Sequence, residues 1–146
     1  MFLRNLTPGG YLECQEGAFP GFCMDTSLTP ETSPFLRWCS LFIEAAAKTG
    51  LDATAPTKFS SKLRAAGFVD IRRKTLKWPV GQWAKGAKNK LLGYYIYEDY
   101  NDFLPSSALG LFTRVLKWTR EEVELFLAEV RRETREQKER HFYVNM

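Results

Sequence analysis

Leu6-Thr7-Pro8-Gly9-Gly10-Tyr11-Leu12-Glu13-Cys14-Gln15-Glu16 is the stretch on which the reading of this chain turns. Pro8-Gly9-Gly10 makes a turn, because Gly tolerates the positive φ that a reversal often needs. Tyr11 to Gln15 follows as a short strand. A unit of this kind belongs to the middle of a larger domain, yet it stands a few residues after Met1. The expectation is an incomplete domain, residues 1–146, whose upstream half is missing.

Gly17 to Thr32 is rich in Gly, Pro, Ser and Thr without periodicity and is expected to be a loop. A helix follows, capped by Ser33, with Pro34 at its first position and Gly50 as its stop. Phe35, Trp38, Cys39, Phe42, Ile43 and Ala46 share one face of it. A shorter helix is predicted from Thr57 to Ala66, with Phe59, Leu63 and Ala66 inward. A strand is then predicted over Phe68–Lys77, ended near Pro79, which cannot donate to a ladder. The Lys88–Tyr100 region predicts a helix interrupted by Pro105, and a separate helix begins at Ser107. Thr119 and Glu122 form a capping box, with Trp118 and Val123 placed as a staple. Val123, Phe126, Leu127 and Val130 make an apolar stripe. Glu129 to Arg140 is read as a solvated charged helix with i,i+4 pairs. His141 to Val144 opens a final strand that the C-terminus is expected to cut short, in which case the first two strands stand apart with little pairing.

The 146 residues suffice to bury about 68–70% of the unfolded chain's surface if they fold alone. No apolar run approaches the ~20 residues that span a bilayer, and no secretory leader opens the chain. Cys14, Cys23 and Cys39 are an odd number without C-x-x-C spacing, which predicts reduced thiols in the cytoplasm or nucleus and no metal site. The net charge is +4, and the basic excess gathers at Arg72, Arg73, Lys74, Lys77, Lys85, Lys88 and Lys90. With no recognisable nucleic-acid motif, that excess is read as a solvated face, with neither nucleic acid nor membrane as a partner.

The order of strands and helices argues for an α/β sheet protein. The "LTPGGYLECQE" run resembles the turn and fifth strand of class I S-adenosylmethionine-dependent methyltransferases, and "KLRAAGFVDIRRKT" resembles their next helix–strand unit. Pro79-Val80-Gly81-Gln82-Trp83 and the stretch from Leu111 to Glu133 are most similar to the fungal LaeA-like methyltransferases of secondary metabolism. The resemblance covers nearly the whole chain in collinear order. It implies the C-terminal part of a Rossmann-like sheet, with a final antiparallel strand inserted between two others. It also implies S-adenosylmethionine as cofactor and a small-molecule or protein methyl acceptor.

That family binds its cofactor through a Gly-rich turn after the first strand and an acidic residue ending the second. Neither is encoded here, since Gly81, Gly86 and Gly93 do not make G-x-G-x-x-G, so no cofactor-binding residue is assigned. Ligands of open α/β sheets lie beyond the carboxyl ends of strands, which makes Gln15 and Glu16 the candidate substrate-binding residues. Catalysis by a Ser or Cys nucleophile would need a nearby base, but His141, the only histidine, lies next to the truncated final strand, and no catalytic residue is assigned. The tyrosines at 94, 95, 97 and 100 are read as core packing. The expected function is that of a LaeA-like methyltransferase or a truncated remnant, with a non-catalytic subunit pairing with a full-length relative as the alternative. An open edge on the Tyr11–Gln15 strand is expected to invite self-association.

Overall fold

Phe142 and Val144 alternate with Tyr143 and Asn145, and that period of two organises the molecule. Phe142 and Val144 are buried, while their neighbours face the other side of the sheet. The computed structural model describes residues 5–136 and 140–146. In chain order these form β1 (Ala18–Cys23), α1 (Pro34–Lys48), a 3-10 turn (Ala55–Lys58), α2 (Phe59–Ala65), β2 (Lys77–Pro79), α3 (Ala87–Arg114), α4 (Arg120–Arg135) and β3 (Phe142–Asn145). The sheet order is β1-β3-β2, and β3 is antiparallel to both neighbours, so β1 and β2 point the same way. The insertion of an antiparallel final strand agrees with the arrangement that the resemblance implies, whereas the expected stub is not seen, since β3 pairs with both β1 and β2. The sheet holds three strands among the described residues and is α/β only in this reduced sense.

The first strand is displaced. Tyr11–Gln15 has no regular structure and Tyr11 is 94% exposed, whereas β1 forms inside the segment expected to be a loop. A strand needs a ladder, and β3 offers it to Ala18, Phe22 and Cys23, with an irregular register between Ala18 and Phe22. Gly21 fixes the choice, for a Cβ there would stand 2.8 Å from the Phe35 ring of α1. The predicted Phe68–Lys77 strand likewise shrinks to Lys77–Pro79. Asp70 adopts φ +52° and Val69 is exposed, and the four residues of β3 cannot pair further back than Leu76. Leu76 and Met146 exchange both backbone hydrogen bonds, and Val80 N donates to Phe142 O. The alternation therefore turns the nitrogen of Pro79 to the outer edge, where a missing N–H costs nothing.

Pro105 does not break the helix. α3 runs through it for 28 residues, because Leu104, Ser107, Ala108 and Phe112 on both sides of the proline are buried against α1 and α4. The apolar face of α1 packs as expected, although Ile43 is only half-buried. No residue of the 3-10 turn or of α2 is buried, so the predicted inward face of that helix is not formed. The capping box of α4 is present as predicted. Its far end is not simply solvated, since Glu133 and Thr134 are buried. The predicted continuation toward Arg140 passes through 137–139, which lie outside the described residues.

Candidate functional site at the carboxyl rim of the sheet

Because β1 and β2 run alike and β3 runs against them, one rim of the sheet gathers the carboxyl ends of β1 and β2 with the amino end of β3. Ligands of open α/β sheets sit at such a rim. Met24, Asp25 and Ser27 follow β1, Val80 to Trp83 follow β2, and Arg140 and His141 precede β3. Three hydrogen bonds stitch these segments together. Met24 N donates to His141 O at 3.0 Å, Val80 N to Phe142 O at 2.9 Å, and Trp83 Nε1 to Phe142 O at 2.9 Å.

The Pro79-Val80-Gly81-Gln82-Trp83 segment is what brings Trp83 back. Gly81 takes φ +98° and its N–H donates to Gly93 O on α3 at 2.9 Å. Gly93 is buried, and a Cβ on it would fall on the Gly81 carbonyl. Two glycines in contact thus let the turn lie against the helix and send the chain back over β3. The Trp83 ring then stacks on His141, with centroids 4.9 Å apart and planes 29° from parallel.

Asp25 Oδ1 accepts from Ser27 N at 3.0 Å and from Ser27 Oγ at 2.8 Å. These bonds, the backbone one foremost, hold its carboxyl below the ordinary carboxylate range, and the Arg140 charge acts in the same direction. Arg140 Nε is buried without a hydrogen-bond partner among the described residues. The rim therefore presents a carboxylate, a guanidinium and a stacked imidazole. That set can orient a polar group and exchange a proton with it.

Gln15 and Glu16 are not at this rim. They are exposed, they precede the amino end of β1, and Gln15 Nε2 donates to Glu13 Oε1 at 2.7 Å. The displacement of β1 moves the strand's carboxyl end, and the position expected for them falls to Met24 and Asp25. The tyrosines divide. Tyr100 meets the Phe35 and Trp38 rings at 5.9 and 5.7 Å, whereas Tyr94 and Tyr95 are exposed. Sequence reasoning missed Asp25 and Arg140 and left His141 without a companion. The signal in the sequence is the Pro79-Val80-Gly81-Gln82-Trp83 spacing, which brings Trp83 back onto Phe142 O and the His141 ring. An apolar groove of about 510 Å³ lies elsewhere, between α1 and α3, and no rim residue lines it.

The rim does not fit S-adenosylmethionine as a complete cradle. One oxygen of its carboxylate is taken up in the Ser27 turn, and the Gly81 amide is closed onto Gly93. Among the described residues no cluster of His, Cys, Asp or Glu could hold a metal ion, and no helix is long and apolar enough to cross a membrane.

No family model and no solved structure matches the chain. Curated relatives do. The chain is 33% identical over 133 residues to the probable methyltransferase tdiE of Emericella nidulans, which covers 88% of the chain. It is 33% identical over 129 residues to the methyltransferase pytC of Aspergillus terreus, again over 88% of the chain. It is 27% identical over 133 residues to the secondary metabolism regulator laeA of Fusarium oxysporum f. sp. lycopersici. It spans about 40% of the length of these relatives, between 40% and 42%. Over nearly nine-tenths of its residues, the chain is a relative of the LaeA-like methyltransferases and corresponds to a segment of each.

Proposed function

We propose that the chain forms the acceptor side of a LaeA-like methyltransferase, a type of enzyme that moves a methyl group from S-adenosylmethionine to a small metabolite or a protein. The observation that carries this reading is the collinear similarity to tdiE over 88% of the chain. The polar rim supports it. A hydroxyl or amine acceptor gives up a proton when it is methylated, and in this reading the imidazole of His141, which stacks on Trp83, would receive it. Asp25 and Arg140 would orient the acceptor, since such catalysis is largely a matter of positioning. Gln15 and Glu16, exposed on the segment leading into β1, remain in this reading as outer acceptor contacts. The three unpaired cysteines suit the cytoplasm or nucleus.

On this reading the 146 residues alone hold S-adenosylmethionine weakly or not at all. Titration calorimetry of the purified chain should give no micromolar binding. A chimera of tdiE carrying these residues in place of its matching segment should bind the cofactor. In that chimera, His141→Asn should leave cofactor affinity and melting unchanged and lower acceptor methylation at least tenfold. Micromolar binding by the chain alone, or a folded chimera that does not bind, would overturn the assignment.

A further inference from the structure

We propose that the tract from Lys58 to Lys90 is a docking surface for an acidic protein segment that also carries apolar side chains. This stretch holds ten Lys and Arg residues against the single carboxylate of Asp70, a net of +9. The whole chain is +4, so the remainder is −5. All ten cations are exposed, and among the described residues only Lys58 is in an ion pair, with Asp52 at 2.8 Å. Repulsion among so many like charges disfavours the compact chain, and little inside the described residues offsets it.

Three contacts of the fold hold parts of this tract in place. Arg73 Nη1 donates to Thr57 O at 3.3 Å, which ties the segment before β2 to the 3-10 turn. Lys77 Nζ lies 4.7 Å from the centroid of the Tyr143 ring, on the sheet face opposite Phe142 and Val144. The contact of Gly81 with Gly93 then sets the end of β2 against α3, whose first turn carries Lys88 and Lys90, with Lys85 just before it. α3 adds to the field. Its N-terminus has no side-chain cap and no acidic residue in its first turn, leaving the positive end of the helix dipole uncompensated.

Exposed apolar side chains lie in and beside the same tract. Val69 is 81% exposed and Leu76 43%, and Leu91, Tyr94 and Tyr95 are exposed on the turns of α3 just after Lys88 and Lys90. Leu91, Tyr94 and Tyr95 fall on one side of that helix by their i, i+3, i+4 spacing. Phosphates need cations and hydrogen-bond donors but not an aliphatic and aromatic strip. An acidic segment with Leu or Phe interspersed matches both features, through electrostatic steering and burial of the strip. The outer edge of β2 is itself blunted by Lys77 and Pro79, which steers an identical strand away from it.

The test uses the 146-residue chain and three fluorescent probes: a 16-residue peptide of Glu and Asp with interspersed Leu and Phe, a 16-residue poly-Glu peptide, and a 16-base-pair DNA duplex. The mixed peptide should bind most tightly and weaken at least tenfold between 50 and 300 mM salt. The triple variant Arg72→Glu, Arg73→Glu, Lys74→Glu should lose at least tenfold in affinity, and Leu91→Ser with Tyr95→Ser about fivefold, each with unchanged circular dichroism. Arg132→Glu with Arg135→Glu, exposed on α4, should stay within twofold. Tighter binding of DNA, equal binding of poly-Glu, or indifference to the triple variant would overturn the proposal.

Discussion

Ser33 Oγ donates a hydrogen bond to Glu133 Oε2 at 2.9 Å, joining the start of α1 to the last turn of α4. The same carboxylate oxygen accepts from Phe35 N at 2.9 Å. Ser33 Oγ in turn accepts from Leu36 N at 3.3 Å, and Pro34 has no N–H to satisfy. α1 has no acidic residue in its first turn, so Glu133 supplies the negative charge that its dipole favours. The donors of a buried helix start are thereby met from another helix.

Removing Glu133 should cost more than removing an ordinary surface glutamate. Glu133→Ala leaves the Phe35 amide and the Ser33 hydroxyl buried without a partner, a loss of about 2–3 kcal/mol. Ser33→Ala should cost about 1 kcal/mol, and the double variant less than the sum, because the two act through one bond. Urea melts of the four proteins measure this cycle, and strict additivity would contradict the shared cap.

Gly93→Ala is expected to lower stability by about 3 kcal/mol, at the upper end of the usual range of overpacked sites, since the obstruction is the backbone of Gly81. The displacement should also reach Trp83, so the variant's tryptophan fluorescence should change at temperatures where it is still folded. A variant that melts like the parent would place the turn away from α3.

Pro105→Ala should stabilise. An interior proline costs a helix about 3 kcal/mol relative to alanine, and the greater freedom of the unfolded alanine chain returns at most about 1. The residue is exposed, so no packing is lost. A net gain of about 2 kcal/mol should appear as a higher melting temperature.

Burial pushes the Cys39 thiol up to about 12 from 9.0, against a smaller opposing pull from the Gly21 N–H on its sulfur. A pKa raised in the folded state means that stability is complete below the unfolded value and falls as pH climbs from about 9 toward 12. Melting temperature should therefore decline above pH 9. At pH 8 iodoacetamide should modify the exposed Cys14 well before Cys39, which mass spectrometry resolves. Equal rates would contradict the buried thiol.

What could be foreseen from sequence depended on how far away the deciding partner lies. α1 and α4 announce themselves through Ser33-Pro34 and Thr119-x-x-Glu122, signals confined to a single turn. β1 does not, because the choice between Tyr11–Gln15 and Ala18–Cys23 is made by β3 and by the Phe35 ring. Pro105 misled for the same reason, as packing on both sides outweighs a local breaker. The rim inherits these errors. Glu133 was one charged residue among many until α1 was placed beside it, and Asp25 became a strand-end residue only when the strand moved. Placing a strand end two elements away is beyond local propensity.

The central place of β3 governs the order in which the molecule can be made. As the chain leaves the ribosome, β1 and β2 are both made before β3, and among the described strands each has only β3 as a partner, because Phe22 and Trp78 wait for Tyr143 and Val144. Helix pairs such as α3 and α4 can associate first, while Phe22 and Trp78 stay without a ladder until β3 is made. Closure of this three-stranded sheet thus waits for β3, and a nascent chain stalled before residue 142 should present β1 and β2 to chaperones as open edges.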